Sequence, residues 1–256
     1  MPPVLLDRDG HVAIVTLNQP ERRNALSLEL REALHDTLSE AMAGDARAIV
    51  LAGAGGSFCS GGDIRSFVPG AGLLDTRARL ARMHRVTRLL LTGAKPVIAA
   101  VDGHAYGAGV SLALACDHVV AARDARFCAS FNRVALMADL GLLYTLPLRV
   151  GMGRARELLM LGEIVEGPEA LAMRLVDRLA EPGLVLEAAI ERARRFAAAP
   201  PVALALTKAA LARAPASLDA VLQMEIDAQS ALFRTDDHAE GRAAFLEKRT
   251  PHFKGF

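Results

Sequence analysis

The stretch Lys95-Pro96-Val97-Ile98-Ala99-Ala100-Val101-Asp102-Gly103-His104-Ala105-Tyr106-Gly107-Ala108-Gly109-Val110-Ser111-Leu112-Ala113-Leu114-Ala115 decides how the chain is read. Residues 96–101 are a short β-branched and apolar run, which predicts a strand. Asp102-Gly103 ends it, and a small-residue loop centred on Gly107-Ala108-Gly109 follows. Residues 110–115 then predict a helix with no polar face, and such a helix must be buried on all sides. The unit is a strand, a glycine loop and a buried helix.

The same unit recurs upstream. Residues 48–51 predict a strand that opens into a glycine-rich segment, 53–62, and residues 73–91 predict a helix rich in arginine on one side. Before them, residues 11–17 predict a strand after the turn pair Asp9-Gly10. Residues 27–42 carry Leu30, Leu34, Leu38 and Ala41 at helical spacing, with Ser27 as N-cap. Downstream, 118–122 and 125–129 predict strands split by Arg123-Asp124. From Gly153 onward the pattern is almost entirely helical, punctuated by Pro168, Pro182, Pro200-Pro201 and Pro215. The fold class is therefore α/β, with strands first and helices last. At 256 residues the chain is long for one simple core and short for two full domains. We divide it into a main unit, 1–199, and a helical piece, 200–256, with Pro200-Pro201 as a candidate hinge.

Bulk properties remove several function classes. Hydrophobic residues make up 52%, enough for a large core, and the net charge of +1 provides no general field for nucleic acid or an acidic membrane. The three cysteines, Cys59, Cys116 and Cys128, have no C-x-x-C spacing, so neither a disulfide framework nor a metal site is suggested. The N-terminus lacks the pattern of a secretory leader. No apolar stretch reaches membrane-span length. A soluble, cytoplasmic protein is the expectation.

Two glycine loops at strand ends suggest a specific chemistry. Glycine lets a backbone approach a ligand closely, and a following helix adds its positive dipole end. Two N–H groups converging on one oxygen form an oxyanion hole. Around Gly62 and around Ala108 are the places for such donors. Glycine-rich turns also serve as plain tight connections, and helix N-termini also bind phosphate. However, there is no G-x-x-x-x-G-K-[ST], and neither loop has the G-x-G-x-x-G spacing.

The ordered set Asn24-Ala25-Leu26-Ser27, Ser60-Gly61-Gly62-Asp63-Ile64, residues 95–103, Gly107-Ala108-Gly109 and the ending Glu240-Gly241-Arg242 through Lys248-Arg249-Thr250-Pro251 resembles the crotonase (enoyl-CoA hydratase/isomerase) superfamily. The resemblance runs from about residue 4 to 254. It implies a spiral of ββα turns, which would be the catalytic and CoA-binding domain, followed by a helical trimerisation region. It implies a coenzyme A thioester as substrate, with no permanently bound cofactor, and a homotrimer or dimer of trimers. By resemblance, the N–H groups of Gly62 and Ala108 hold the thioester oxygen. Arg23, Asn24, Ala25 and Leu26 flank the CoA, and Ser60 and Ile64 lie near the adenine. Gly61, Asp63, Gly107, Gly109, Ser111 and Phe131 complete the substrate site. Phe245 and Lys248 reach the CoA of a neighbouring subunit.

The acid or base departs from the family's hydratase pattern. Hydratases carry two glutamates, and this chain has Ser111 and Phe131 at those positions. One carboxylate remains in the right stretch, Asp139 in Leu136-Met137-Ala138-Asp139-Leu140-Gly141. Apolar neighbours would raise its pKa toward the range useful for moving protons. Asp139 could instead cap the next helix or pair with Arg149 or Arg154. The run 130–147 resembles the aspartate-bearing isomerase branch that includes the ring-oxepin isomerase of phenylacetate breakdown, except that Ala138 stands where that branch has proline. His104, Tyr144, His35, His84 and Arg22 are lesser candidates. The reading is a double-bond isomerase with Asp139 as its single base. Its alternatives are hydration through Asp139 or a water held by Ser111, and a non-catalytic acyl-CoA binder.

Overall fold

The computed structural model describes residues 1–66, 70, 72–213 and 217–256. Pro215, one of the expected punctuation points, lies outside the described residues. The main sheet begins with β1 (Val4–Asp9) and β2 (Val12–Leu17), an antiparallel hairpin turned at Gly10-His11, just after Asp9. Strands β3 (Ala48–Gly53) and β4 (Val97–Val101) then add in parallel. Next come β5 (His104–Tyr106), β6 (His118–Ala122), β7 (Arg126–Cys128), β8 (Ile164–Glu166) and β9 (Arg178–Ala180). The main sheet runs β1-β2-β3-β4-β6-β9, and a smaller one runs β5-β7-β8.

The helices fill the connections. They are α1 (Leu28–Ala43), α2 (Leu73–Thr92), α3 (Ala108–Ala115), α4 (Leu142–Leu161), α5 (Gly167–Ala172), α6 (Val185–Ala197), α7 (Pro201–Leu211), α8 (Leu218–Leu232) and α9 (Asp236–Glu247). Ser27 caps α1, accepting from the Leu30 N–H at 3.2 Å, and Leu30, Leu34, Leu38 and Ala41 are its buried stripe, as the spacing predicts. Every residue of α3 is buried. Side chains of β3, β4 and β6 form one continuous core with those of α1 and α3, and α6 packs on these strands, burying Val185, Ala189, Ala193 and Ala197 at intervals of four.

Four strands escape the sequence pattern, among them β5, whose three residues fall in a stretch that reads as loop. β1 is an edge strand whose second half, Asp7, Arg8 and Asp9, is polar, so no apolar alternation marks it. β8 and β9 have three residues each, too few for a period to show, and they correct the expectation that the chain is helical from Gly153 onward. α4 breaks at Gly151, where φ is 78° and ψ is 159°. Pro200 and Pro201 stand at the N-cap and first position of α7, where a missing N–H costs nothing.

α7 is fastened to the sheet by a buried cation. Lys208 Nζ donates to Asp117 Oδ2 at 2.6 Å and to Lys95 O at 2.8 Å, and the same carboxylate oxygen accepts the Val97 N–H at the start of β4. Lys208→Ala would leave the half-buried Asp117 without its cation. Loss of charged hydrogen bonds of this kind costs about 2 kcal/mol. A drop of that size in unfolding free energy, read from urea denaturation, is the expected outcome.

Candidate active site

Backbone hydrogen bonds bring the two glycine loops together. Phe58 N–H donates to Asp102 O at 2.8 Å, Cys59 N–H to His104 O at 2.9 Å, and Tyr106 N–H to Cys59 O at 2.9 Å. Residues 58–59 thus run beside β5 as a short parallel extension, with Cys59 bridged to Ala105. Gly107 N–H ties the second loop to β7 through Cys128 O at 2.8 Å. The approach is close enough to demand glycine. A Cβ on Gly109 would stand 2.2 Å from Cys59 O. One on Gly61, at φ +97°, would stand 2.7 Å from Tyr106 O and 3.4 Å from the Ala108 nitrogen. Ala108 opens α3, so its N–H lies at the positive end of that helix. Among the described residues neither the Gly62 nor the Ala108 N–H donates to a protein acceptor.

The loop at 23–27 is tied to the same place. Leu26 N–H donates to Gly61 O at 2.7 Å and Ser60 N–H to Arg23 O at 2.9 Å. Asn24 is fully buried in a left-handed conformation, φ 54°. Its amide donates to Ala54 O at 3.0 Å and Ser57 O at 2.7 Å, and its Oδ1 accepts from the Gln19 N–H at 2.9 Å. The side chain of Asn24 is therefore used up in holding the loop.

A cavity of about 280 Å³ opens where these loops meet. Gly61, Gly62, Gly107 and Ala108 line it together with Leu26, Ser60, Ile64, Phe131 and Asp139. Arg23, Asn24, Ala25, Asp63, Gly109 and Ser111 do not line it. Asp63 accepts from the Arg65 N–H at 3.1 Å and lies 3.9 Å from the Arg22 guanidinium. Ser111 is wholly buried and its hydroxyl has no partner among the described residues. Phe245 and Lys248 lie on α9 and at its C-cap, exposed and apart from this cavity. Tyr144 bonds Ala212 O at 2.9 Å, and His104 stacks edge-on against Tyr106 at 5.3 Å; neither lines the cavity.

Asp139 is the only carboxylate among the described residues lining the cavity. It does not cap α4, whose N-cap is Gly141 without a side-chain bond. Nor does it pair with the two arginines considered, since Arg149 binds Asp177 at 3.0 Å and Arg154 binds Glu157 at 2.6 Å. The loop that carries it is held without the proline. Leu140, 2% exposed and at φ 51°, reverses the chain, and its carbonyl accepts from Thr87 Oγ1 at 3.2 Å. A leucine with positive φ is strained backbone, kept here by burial and by the bond to α2. Burial pushes the Asp139 carboxyl above the usual carboxylate range, with Arg31, His84 and Arg79 pulling the other way. Its Oδ1 is buried without a hydrogen bond.

The match to known proteins follows this geometry. The enoyl-CoA hydratase/isomerase family model covers residues 7–255. The chain belongs to this family. A Rhodobacter capsulatus protein named a probable enoyl-CoA hydratase is 40% identical over 246 residues, covering 95% of each chain. The Escherichia coli 1,2-epoxyphenylacetyl-CoA isomerase is 36% identical over 249 residues, again covering 95% of each. The crystal structure of enoyl-CoA hydratase from Bacillus anthracis superposes with a TM-score of 0.92 at 34% identity, covering 99% of this chain and 100% of that one. The chain is thus an enzyme of the crotonase family and has its α/β fold. Among the described residues no helix is long and apolar enough to cross a membrane.

Helices supply a further wall that no motif in the sequence marks. Arg31 of α1 and Thr76, Arg79, Leu80 and Met83 of α2 also line the cavity. The arginine-rich side of residues 73–91 was the available signal, but periodicity does not say what a helix faces. Gly109→Ala offers a test of how the loops depend on one another. Its methyl would push against the Cys59 carbonyl. The expected result is at least about a 10-fold loss in kcat/KM toward an enoyl-CoA, because a misplaced oxyanion donor costs about 10²-fold or more. The loss should come with a lowered Tm.

Proposed function

We propose that the enzyme shifts a double bond along an acyl-CoA, with Asp139 as its single proton carrier. The thioester oxygen sits against the N–H groups of Gly62 and Ala108, which stabilise the charge that develops as a proton leaves C2 or C4. Asp139 takes that proton and returns it at the other end of the dienolate. The observation that carries the reading is the lone, desolvated carboxylate in a cavity that also presents two unpaired N–H groups. Ser111 and Phe131, at the positions of the hydratase glutamates, supply no base. The similarity to 1,2-epoxyphenylacetyl-CoA isomerase agrees with an isomerase. Hydration at the same site is the second reading, because most of the similar proteins bear hydratase names. The CoA would run past residues 23–26, Ser60 and Ile64.

The mechanism makes Asp139→Asn decisive. The amide keeps the shape and accepts no proton, so turnover of a 3-enoyl-CoA to its 2-enoyl isomer should fall at least about 10²-fold, as loss of a general base does. Exchange of the α-proton into deuterated water should fall with it, while binding of the thioester changes little. The base must be ionised, and burial raises its pKa. Activity should therefore decline on acidification at a pH above the ordinary carboxylate range. Stability has the opposite sign: the native state binds this proton more tightly than the unfolded chain, so ionised Asp139 costs stability as pH rises through its raised pKa. Asp139→Asn should raise Tm at neutral pH and not in acid. Full isomerisation by the variant would defeat the single-base mechanism, and a 3-hydroxyacyl-CoA product from the wild type would favour hydration.

The helical piece, 200–256, serves assembly in this reading. α8 buries no residue within the chain, and Leu218 (71% exposed), Leu222, Ile226 and Phe233 lie open. An apolar surface of this kind is covered by closed association, as a trimer or dimer of trimers. Phe245 and Lys248 would then meet the CoA of the adjacent subunit. Light scattering at micromolar protein should give a trimer or hexamer mass, and a clean monomer would refute it.

A further inference from the structure

The catalytic cavity carries more positive charge than the proposed chemistry uses. Arg31 and Arg79 line it with Asp139, so its formal charge among the described residues is positive. Arg31 is part-buried. Its Nε–H donates to Leu26 O at 2.7 Å, and this bond fixes the guanidinium against the loop that flanks Gly62. Its two terminal nitrogens donate no bond among the described residues, which leaves the forked edge that suits a carboxylate. Burial and the nearby Arg79 lower the Arg31 pKa, while Asp139 works against them. Two guanidinium groups that repel each other in a half-desolvated wall are stabilised by an anion between them.

The wall continues into an adjoining cleft of about 220 Å³, which shares Arg31, Arg79 and Met83 and adds Arg82 and Arg85. The cleft is lined by four arginines, Arg31, Arg79, Arg82 and Arg85, and by two acids, Glu32 and Asp36, so its formal charge among the described residues is positive as well. The apolar side of the cavity, Leu80, Met83, Val134, Leu136 and Met137, suits a short carbon chain.

We propose that the substrate is an acyl-CoA whose acyl group ends in a second carboxylate, held by Arg31 and Arg79. This rests on the cavity being the acyl site of the proposed enzyme. The anion could in principle be a phosphate of CoA. However, Arg31 acts electrostatically on Asp139, the base, and the pantetheine arm keeps the CoA phosphates far from the reacting carbons. The carboxylate is the anion that can sit beside the reaction. Carboxylate recognition by a bidentate arginine is also selective, since a methyl group in its place leaves the desolvated guanidinium unpaired.

Binding separates this inference from the isomerase reading. Adipoyl-CoA and hexanoyl-CoA are saturated, so neither reacts, and they differ in carboxylate against methyl. Isothermal titration of the wild-type protein should give adipoyl-CoA a Kd at least 10-fold lower. Arg79→Gln and Arg31→Gln should each bring the two ligands to within about 3-fold by weakening adipoyl-CoA alone. Adipoyl-pantetheine and hexanoyl-pantetheine, which lack the CoA phosphates, should show the same preference. Equal wild-type affinities would overturn the proposal. So would variants that weaken both CoA thioesters alike while leaving the pantetheine thioesters unchanged, because the arginines would then serve CoA phosphate. If the preference holds but 3-hexenedioyl-CoA shows no α-proton exchange, the isomerase reading fails and the carboxylate site stands. If 3-hexenoyl-CoA exchanges and isomerises while the wild type binds both saturated thioesters equally, the reverse is true.

Discussion

The contact between the Cys59 backbone and β5 is the constraint on which the site depends. Two N–H groups can stabilise one oxygen only if two loops distant in sequence, one after β3 and one before α3, share a fixed spacing. The bonds from Cys59 N–H to His104 O and from Tyr106 N–H to Cys59 O set that spacing. Gly109 permits it, because any side chain there would occupy the space of the Cys59 carbonyl. The parallel sheet does the rest. β3 and β4 are neighbours in register, so their following loops emerge at the same end of the sheet. This is where open parallel sheets place ligand sites.

The polar economy of the region follows from the same geometry. Backbone groups near the site are satisfied by neighbouring loops, and Asn24 is spent wholly on that task. Those left unsatisfied are informative. Gly62 and Ala108, whose N–H groups donate to no acceptor among the described residues, line the cavity, and Asp139 Oδ1 is buried there with no hydrogen bond among them. Unpaired buried polar atoms carry a free-energy penalty of about 1–3 kcal/mol each, and their gathering in one cavity marks it as a place for a ligand or a reaction. Ser111 is a different case. Its hydroxyl is equally unpaired, but it is enclosed within α3 and does not line the cavity.

Asp139 shows how a loop keeps its position by means other than proline. The reversal at Leu140, its burial, and the hydroxyl of Thr87 in α2 together hold the carboxylate at the cavity wall. α2 thus bonds the loop of the proposed base through Thr87 and brings Arg79 to the same cavity. One helix thereby ties the position of the carboxylate to a positive charge in the cavity wall.

Much of this was legible in the chain. Ser27 and the stripe Leu30, Leu34, Leu38 and Ala41 specify α1 through local capping and periodicity, and the apolar run 110–115 announces a helix that must be buried. The glycine loops, and the absence of glutamate at Ser111 and Phe131, could likewise be read directly, since each depends on residue type and order. The four short or polar strands, β1, β5, β8 and β9, could not, because pairing with a distant partner and not local alternation makes them strands. Nor could the role of Asn24, whose partners Ala54 and Ser57 lie 30 and 33 residues away. The arginines of the cavity wall are the clearest instance. The pattern shows that α2 has a basic side, but a helix face acquires meaning only from what packs opposite it. In the fold α1 and α2 pack together, and Arg31 and Arg79 come to line the cavity with Asp139.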